Sequence, residues 1–319
     1  MQYLTQHWSF GPLMVVAIVL AIWHEIGLTK LARRSTPEQA RRRRLRSLWF
    51  YSGLGVLLLA VQSPIGYWSY DYFFVHMIQH LLLMFGAPTL VVAGAPWEPL
   101  LVALPRSLQR PAAGDGTAYD WTRPLRAVTA WLLRPWVSIV TFNLVMLFWH
   151  IPAMLDLAER NQTVHIWLMY TSFFLAGILF WLQFIDSPPF RRNMKLTSQA
   201  VALVGTNISM WLLAMAMGIL TSVSWYPVYD HIAGVTLPPF ADQQIGAGIL
   251  WICGDFWAIP TLIYVMRRII AEDGGVGAAV DKILGHGSTR YQWASRGPVH
   301  PAQPANAANR ASGSPDSRG

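Results

Sequence analysis

Apolar runs long enough to cross a lipid bilayer recur along this chain, and the short connections between them carry most of its basic residues. Crossing the hydrocarbon core takes about 20 mostly apolar residues, with roughly 17 to 25 tolerated. Seven segments meet that requirement, at about residues 10–28, 48–65, 73–93, 136–154, 164–185, 199–220 and 244–266. No water at that depth can satisfy a free backbone group, so each segment must close its own hydrogen bonds as a helix. The expected fold is all-α, a polytopic membrane bundle of about seven transmembrane helices. Composition agrees, because 54% apolar and 13% charged residues depart from the balance of a soluble globular domain.

The basic residues alternate from one connection to the next. Eight Lys and Arg lie within residues 30–46, five within 94–135, three within 186–198 and seven from 267 onward, while the opposite connections hold only Arg160. By the positive-inside rule the N-terminus is expected outside and the C-terminus in the cytoplasm, in a bacterial inner membrane. Residues 1–9 contain no Lys or Arg, the opposite of a cleavable signal peptide, so the first span is expected to remain as a helix. The net charge of +8 is thus used for topology, and a nucleic-acid partner is excluded in favour of the lipid bilayer. The chain is expected to divide into a transmembrane domain, 1–270, and a Gly-, Ala-, Ser- and Pro-rich cytoplasmic tail, 271–319, too poor in large apolar residues to fold. Residues 103–134, punctuated by Pro and Gly, are expected to form an irregular loop. Cys253 stands alone, so no disulfide or Cys-rich cluster is built within the chain.

Ionisable groups at membrane depth are expensive and therefore informative. The spans place His76, His80, His150 and His165 near the outer side of three different helices. His76 and His80 are four residues apart, which brings both rings to one helical face with Cβ atoms about 6 Å apart, near enough to share an ion. One turn deeper on the same faces stand Met84, Met146 and Met169. Thioether sulfur selects Cu(I) and imidazole suits copper in both oxidation states, so a His layer over a Met layer reads as a copper site. Taken singly, a methionine is a common packing residue and a membrane histidine is often only hydrogen-bonded. Asn143 faces the same way as His150 and is a candidate hydrogen-bond partner of a ligand. His7 and His231 fall in water-facing segments and His24 near the cytoplasmic end of the first helix.

Residues 221–243 form the last outer connection, which ends at Asp242, Gln243 and Gln244. Asp255, inside the seventh apolar run, is a functional candidate by its depth, with a buried bond to a neighbouring helix as the competing account. Gly53 with Gly55 and Gly246 with Gly248 lack any strand–turn–helix context and are expected to be close-packing glycines. No set of nucleophile, base and orienter is evident, so the chain is expected to be non-enzymatic.

With these residues in order, the chain resembles the CtaG family of caa3-type cytochrome c oxidase assembly factors. The resemblance runs from about Pro64 to Met266 and rests on His76-Met-Ile-Gln-His80, Gly94-Ala-Pro96, Phe142-Asn143, Trp149-His150-Ile-Pro152, Val164-His165, Tyr226-Pro-Val-Tyr229 and Ala241-Asp242-Gln243-Gln244. It implies a role in maturing a haem-copper oxidase by handling copper for its buried centre, with an oxidase subunit as recipient and a periplasmic copper donor upstream. The ligand set comes from the spacing above and not from the resemblance. Three alternatives stay open: a haem-binding membrane oxidoreductase or haem-modifying enzyme, a copper or small-solute transporter, and a scaffold whose histidines carry no ion.

Overall fold

The computed structural model describes residues 7–105, 123–192, 194–230, 232 and 234–273. Contacts group Met1–Ile269 into one unit and Ile270–Gly319 into a second, and the sites below lie in the first. The tail expected from 271 falls, beyond Asp273, outside the described residues, as do His231, His286 and His300.

The regular elements among the described residues are all helices, with one isolated bridge between Ser187 and Phe190. Six stretches are long and apolar enough to span a membrane: Pro12–Ala32 (α1), Pro37–Trp68, Phe73–Gly94, Val164–Trp181, Leu196–Gly218 (α11) and Pro239–Ala271. The second divides into Pro37–Gln62 (α2) and the short Pro64–Trp68 (α3), and the third into Phe73–Leu81 (α4), a π-helical turn Leu82–Gly86 and Ala87–Gly94 (α5). Trp97–Ala103 (α6) follows. Arg123–Leu132 (α7) and Pro135–Trp149 (α8) are bent by 81° and supply the seventh span if taken as one. Pro152–Arg160 (α9) leads to a second π-helical segment, Val164–Tyr170, and Thr171–Trp181 (α10), while the last helix runs over Pro239–Asp273 (α12).

Helix ends depart from the apolar runs where caps and prolines act. α2 begins eleven residues before its expected span because Thr36 and Gln39 form a reciprocal capping box with Pro37 in the first turn. Its arginines then continue the same helix beyond the hydrocarbon layer. α8 ends at Trp149, short of the expected 154, because Pro152 opens the next helix. Its 15 residues span only roughly 22 Å, so a turn of chain is left where His150 sits. The π turn at Leu82–Gly86 lies just before Pro88, which lacks the N–H that would bond Met84; the Ala87 N–H bonds Leu82 instead.

The loop expected over 103–134 begins where α6 ends, at Ala103, and is corrected at its C-terminal end, where α7 is helical. In α7, Pro124 fits a first turn, and Leu125, Val128 and Trp131 recur at helical spacing as one exposed apolar face.

Apolar side chains exposed on α1 and α12, such as Val15, Ile22, Phe256 and Ile263, face the lipid solvent, while small residues let backbones meet inside. A Cβ on Gly53 would lie 2.7 Å from Val91, one on Gly94 2.7 Å from the Phe50 Cβ, and one on Gly246 2.7 Å from the Phe73 ring, so these glycines fix the contacts of α2 with α5 and of α12 with α4. Gly55 and Gly248 meet nothing within 4 Å, which corrects half of the expected close-packing set.

Candidate metal centre

The helix bearing His76 and His80 is anchored from far along the chain. The first N–H groups of a helix have no partner within it. In α4 the Phe73 and Phe74 N–H groups donate to the two oxygens of Asp242, at 2.7 and 2.8 Å, from the start of α12. Asp242 is 2% exposed, so these are buried, charge-assisted bonds. Gln243 accepts from the Trp225 N–H at 2.6 Å and donates to the Met217 carbonyl at 2.7 Å, while Gln244 donates to Gly218 at 3.1 Å. The Asp-Gln-Gln run thus ties the segment at Trp225, α11 and α4 together.

Below that clasp the four histidines converge. His76 and His165 are fully buried, and His80 and His150 are each 3% exposed. The ring centroids of His76 and His80 are 4.0 Å apart, those of His76 and His165 5.4 Å, and those of His80 and His150 5.6 Å. α4 supplies two rings, the residue capping α8 supplies His150, and the π segment Val164–Tyr170 supplies His165.

A carboxylate absent from the sequence reading completes the group. Glu159, near the end of α9, has a side chain only 2% exposed, and its Oε1 lies 3.0 Å from His76 Nδ1 and 3.4 Å from His165 Nδ1. Ligand atoms of His76, Glu159 and His165 all fall within 4.8 Å of one another. Burial pushes the Glu159 carboxyl up to about 7, with His165 opposing and Asp156 adding to the rise. Its signal was present in the sequence: Leu155, Ala158 and Glu159 follow the i, i+3, i+4 pattern of a buried helical stripe, which places the carboxylate on the apolar face.

The ring nitrogens are mostly without hydrogen bonds. Only His150 Nδ1 has one, to the Met146 carbonyl at 2.6 Å. A carbonyl can only accept, so the proton is on Nδ1 and Nε2 keeps its lone pair, the form that binds a metal. The other seven nitrogens of the four rings lack a hydrogen-bond partner. Leaving a buried polar group unmatched costs about 1–3 kcal/mol, so these nitrogens are open to a further partner, a water molecule or an ion.

Tyrosines pack around the cluster. The Tyr226 hydroxyl donates to the His150 carbonyl at 3.0 Å, and the Tyr229 hydroxyl to the Ser69 carbonyl at 3.0 Å. Burial raises the pKa of both, which keeps them as protonated donors. Tyr70 and Tyr170 pack on His165 at centroid distances of 4.9 and 4.6 Å.

The remaining candidates separate. Met84, Met146 and Met169 are buried, and two of them, Met84 and Met169, lie in the π-helical segments. Met146 meets the cluster through its carbonyl, and Met217 of α11 brings its sulfur within 3.3 Å of the Tyr226 hydroxyl. Asn143 donates to Thr206 at 3.0 Å and to the Ile139 carbonyl, so its bonds join helices and do not orient a histidine. Asp255 accepts from Asn207 at 3.0 Å, the interhelical bond foreseen as its alternative account. His7 stacks on Tyr67, and His24 is buried elsewhere.

Comparison with known proteins follows the same stretch of chain. Residues 8–272 match the family model described as cytochrome c oxidase caa3 assembly factor (Caa3_CtaG). An uncharacterized protein of Mycobacterium bovis is 25% identical over 282 residues, covering 86% of this chain and 41% of that protein. An uncharacterized protein of Mycobacterium leprae is 25% identical over 291 residues, covering 89% and 42%. The chain therefore spans about two-fifths of the length of these relatives. No solved structure matches it.

Proposed function

Because the chain belongs to the family of cytochrome c oxidase caa3 assembly factors, we propose that it serves oxidase maturation by carrying copper in the pocket of His76, His80, His150, His165 and Glu159. Copper here is cargo, received on the periplasmic side of the inner membrane from a donor and passed to an oxidase subunit, and no bond of a substrate is made or broken. The observation that carries this reading is the convergence of seven imidazole nitrogens that make no hydrogen bond, two of them facing the one buried carboxylate of Glu159. Imidazole accepts both copper oxidation states, and the carboxylate offsets charge that would otherwise be buried alone. Met84, Met146 and Met169 supply soft sulfur one turn deeper.

Haem ligation finds less support, because 4.0 Å between the His76 and His80 centroids leaves no room for a macrocycle between them. Metal content and an absorption spectrum of detergent-purified protein, beside a His76→Ala/His80→Ala variant, test the proposal. Stoichiometric copper lost in the variant is the expected result. Copper unaffected by the substitutions overturns the ligand assignment, and a Soret band moves the protein to haem chemistry.

A further inference from the structure

At the opposite end of the bundle, beside the arginine-rich start of α2, a polar cavity adjoins an apolar groove. The cavity, about 240 Å³, is lined by His24, Arg43, Arg46, Ser47 and Glu98, and the groove, about 900 Å³, by Leu20, Trp23, Trp97, Leu101 and Phe190. Glu98 and Pro188 line both, so the two spaces are immediate neighbours. Their shape is fixed by close packing: a Cβ on Gly27 of α1 would run into the Pro99 carbonyl of α6. Trp23 and Trp97 are the amphipathic rings that favour headgroup level, and Lys30 reaches the Val102 and Ala103 carbonyls beside them.

The hydrogen bonds in the polar cavity specify a ligand. The Tyr51 hydroxyl donates to Glu25 at 2.8 Å, so toward His24 Nδ1, 3.1 Å away, it must accept. That places the proton on Nδ1 and leaves His24 Nε2 as a bare acceptor. His24 is fully buried, lines the cavity, and its Nε2 has no partner. Arg43 already meets both Glu98 oxygens at 3.3 Å and the Ser35 hydroxyl, whereas Arg46 has no carboxylate partner among the described residues. Arg46 is exposed, so its charge is open to an anion arriving at the cavity, while the bare imidazole nitrogen beside it calls for a donor.

We propose that this paired cavity and groove bind an anionic phospholipid whose headgroup carries a free hydroxyl, as phosphatidylglycerol does. The phosphate meets Arg46, the headgroup hydroxyl donates to His24 Nε2, and an acyl chain lies along the apolar groove. The charge balance selects this lipid over a zwitterionic one, whose ammonium would restore the excess positive charge.

Native mass spectrometry of the protein released from mixed phosphatidylglycerol and phosphatidylethanolamine vesicles reads the retained lipid directly. One retained phosphatidylglycerol is expected. Its retention falls about tenfold in Arg46→Gln, the loss of one charge-assisted contact, and falls similarly in Leu101→Trp, which fills the groove. Both variants keep the wild-type thermal midpoint and metal content. Equal retention of phosphatidylethanolamine, retention indifferent to Arg46→Gln, or equally tight binding of water-soluble glycerophosphoglycerol would each overturn the proposal.

Discussion

Within the bundle, Asn207 meets Asp255 at 3.0 Å and Asn143 meets Thr206 at 3.0 Å, each bond joining two helices. At one end of the bundle, four histidines and a glutamate side chain are buried more deeply than the half-buried Asn143 and Asp255, yet seven ring nitrogens have no such bond. Both regions hold polar groups in an apolar solvent. The amides use their N–H donors to hold neighbouring helices and leave at most an oxygen over, whereas the imidazoles face one another and share no donors. Polarity is therefore common to the two places, and the completeness of the hydrogen bonding separates packing from binding.

The sharpest way to break this contrast is to remove one member of the cluster. His165→Ala should weaken copper binding by more than about 100-fold, since it deletes a ligand, and Glu159→Gln by about 10- to 100-fold, since it keeps the shape but removes the charge. Competition with a calibrated copper chelator measures both. If Glu159→Gln binds copper as wild type does, the carboxylate is no part of the centre and only the imidazoles remain candidates.

A smaller effect is expected from the clasp. Asp242→Ala leaves the Phe73 and Phe74 N–H groups without acceptors and should cost about 2 kcal/mol of stability. Because α4 carries His76 and His80, copper affinity should fall with it, by about tenfold. Thermal unfolding in detergent reads the first effect and chelator competition the second. An unchanged unfolding midpoint would mean that α4 is held by its packing on α12 and not by its cap.

What the sequence made legible follows from which interactions are local. His76 and His80 share a face because a helix repeats every four residues or so, and the depths of His150 and His165 follow from span boundaries. Glu159 escaped because it lies in α9, a short helix beyond the end of the fourth apolar run, where carboxylates are ordinarily solvated. The bond from Asp242 to Phe73 joins residues 169 apart, and no local pattern encodes such a partner. The π segments escaped too, since they keep the hydrophobic composition of an α-helix and only Pro88 hints at the first. Gly53 and Gly55 look alike in sequence, but only Gly53 faces a neighbouring backbone.

Asp255 is the control on which the contrast turns. Read as a sequence, it and His76 are the same kind of anomaly, an ionisable residue within an apolar run. In the folded protein its carboxylate accepts from Asn207, so Asp255→Asn keeps an oxygen acceptor for that bond and loses only the charge. Polar contacts between transmembrane helices are worth about 0.6 kcal/mol on average, so the unfolding midpoint should barely move and copper affinity should equal wild type. Should Asp255→Asn lose copper while remaining folded, a complete hydrogen bond would no longer mark a residue as structural, and the line drawn between the two regions would have to move inward to include α12.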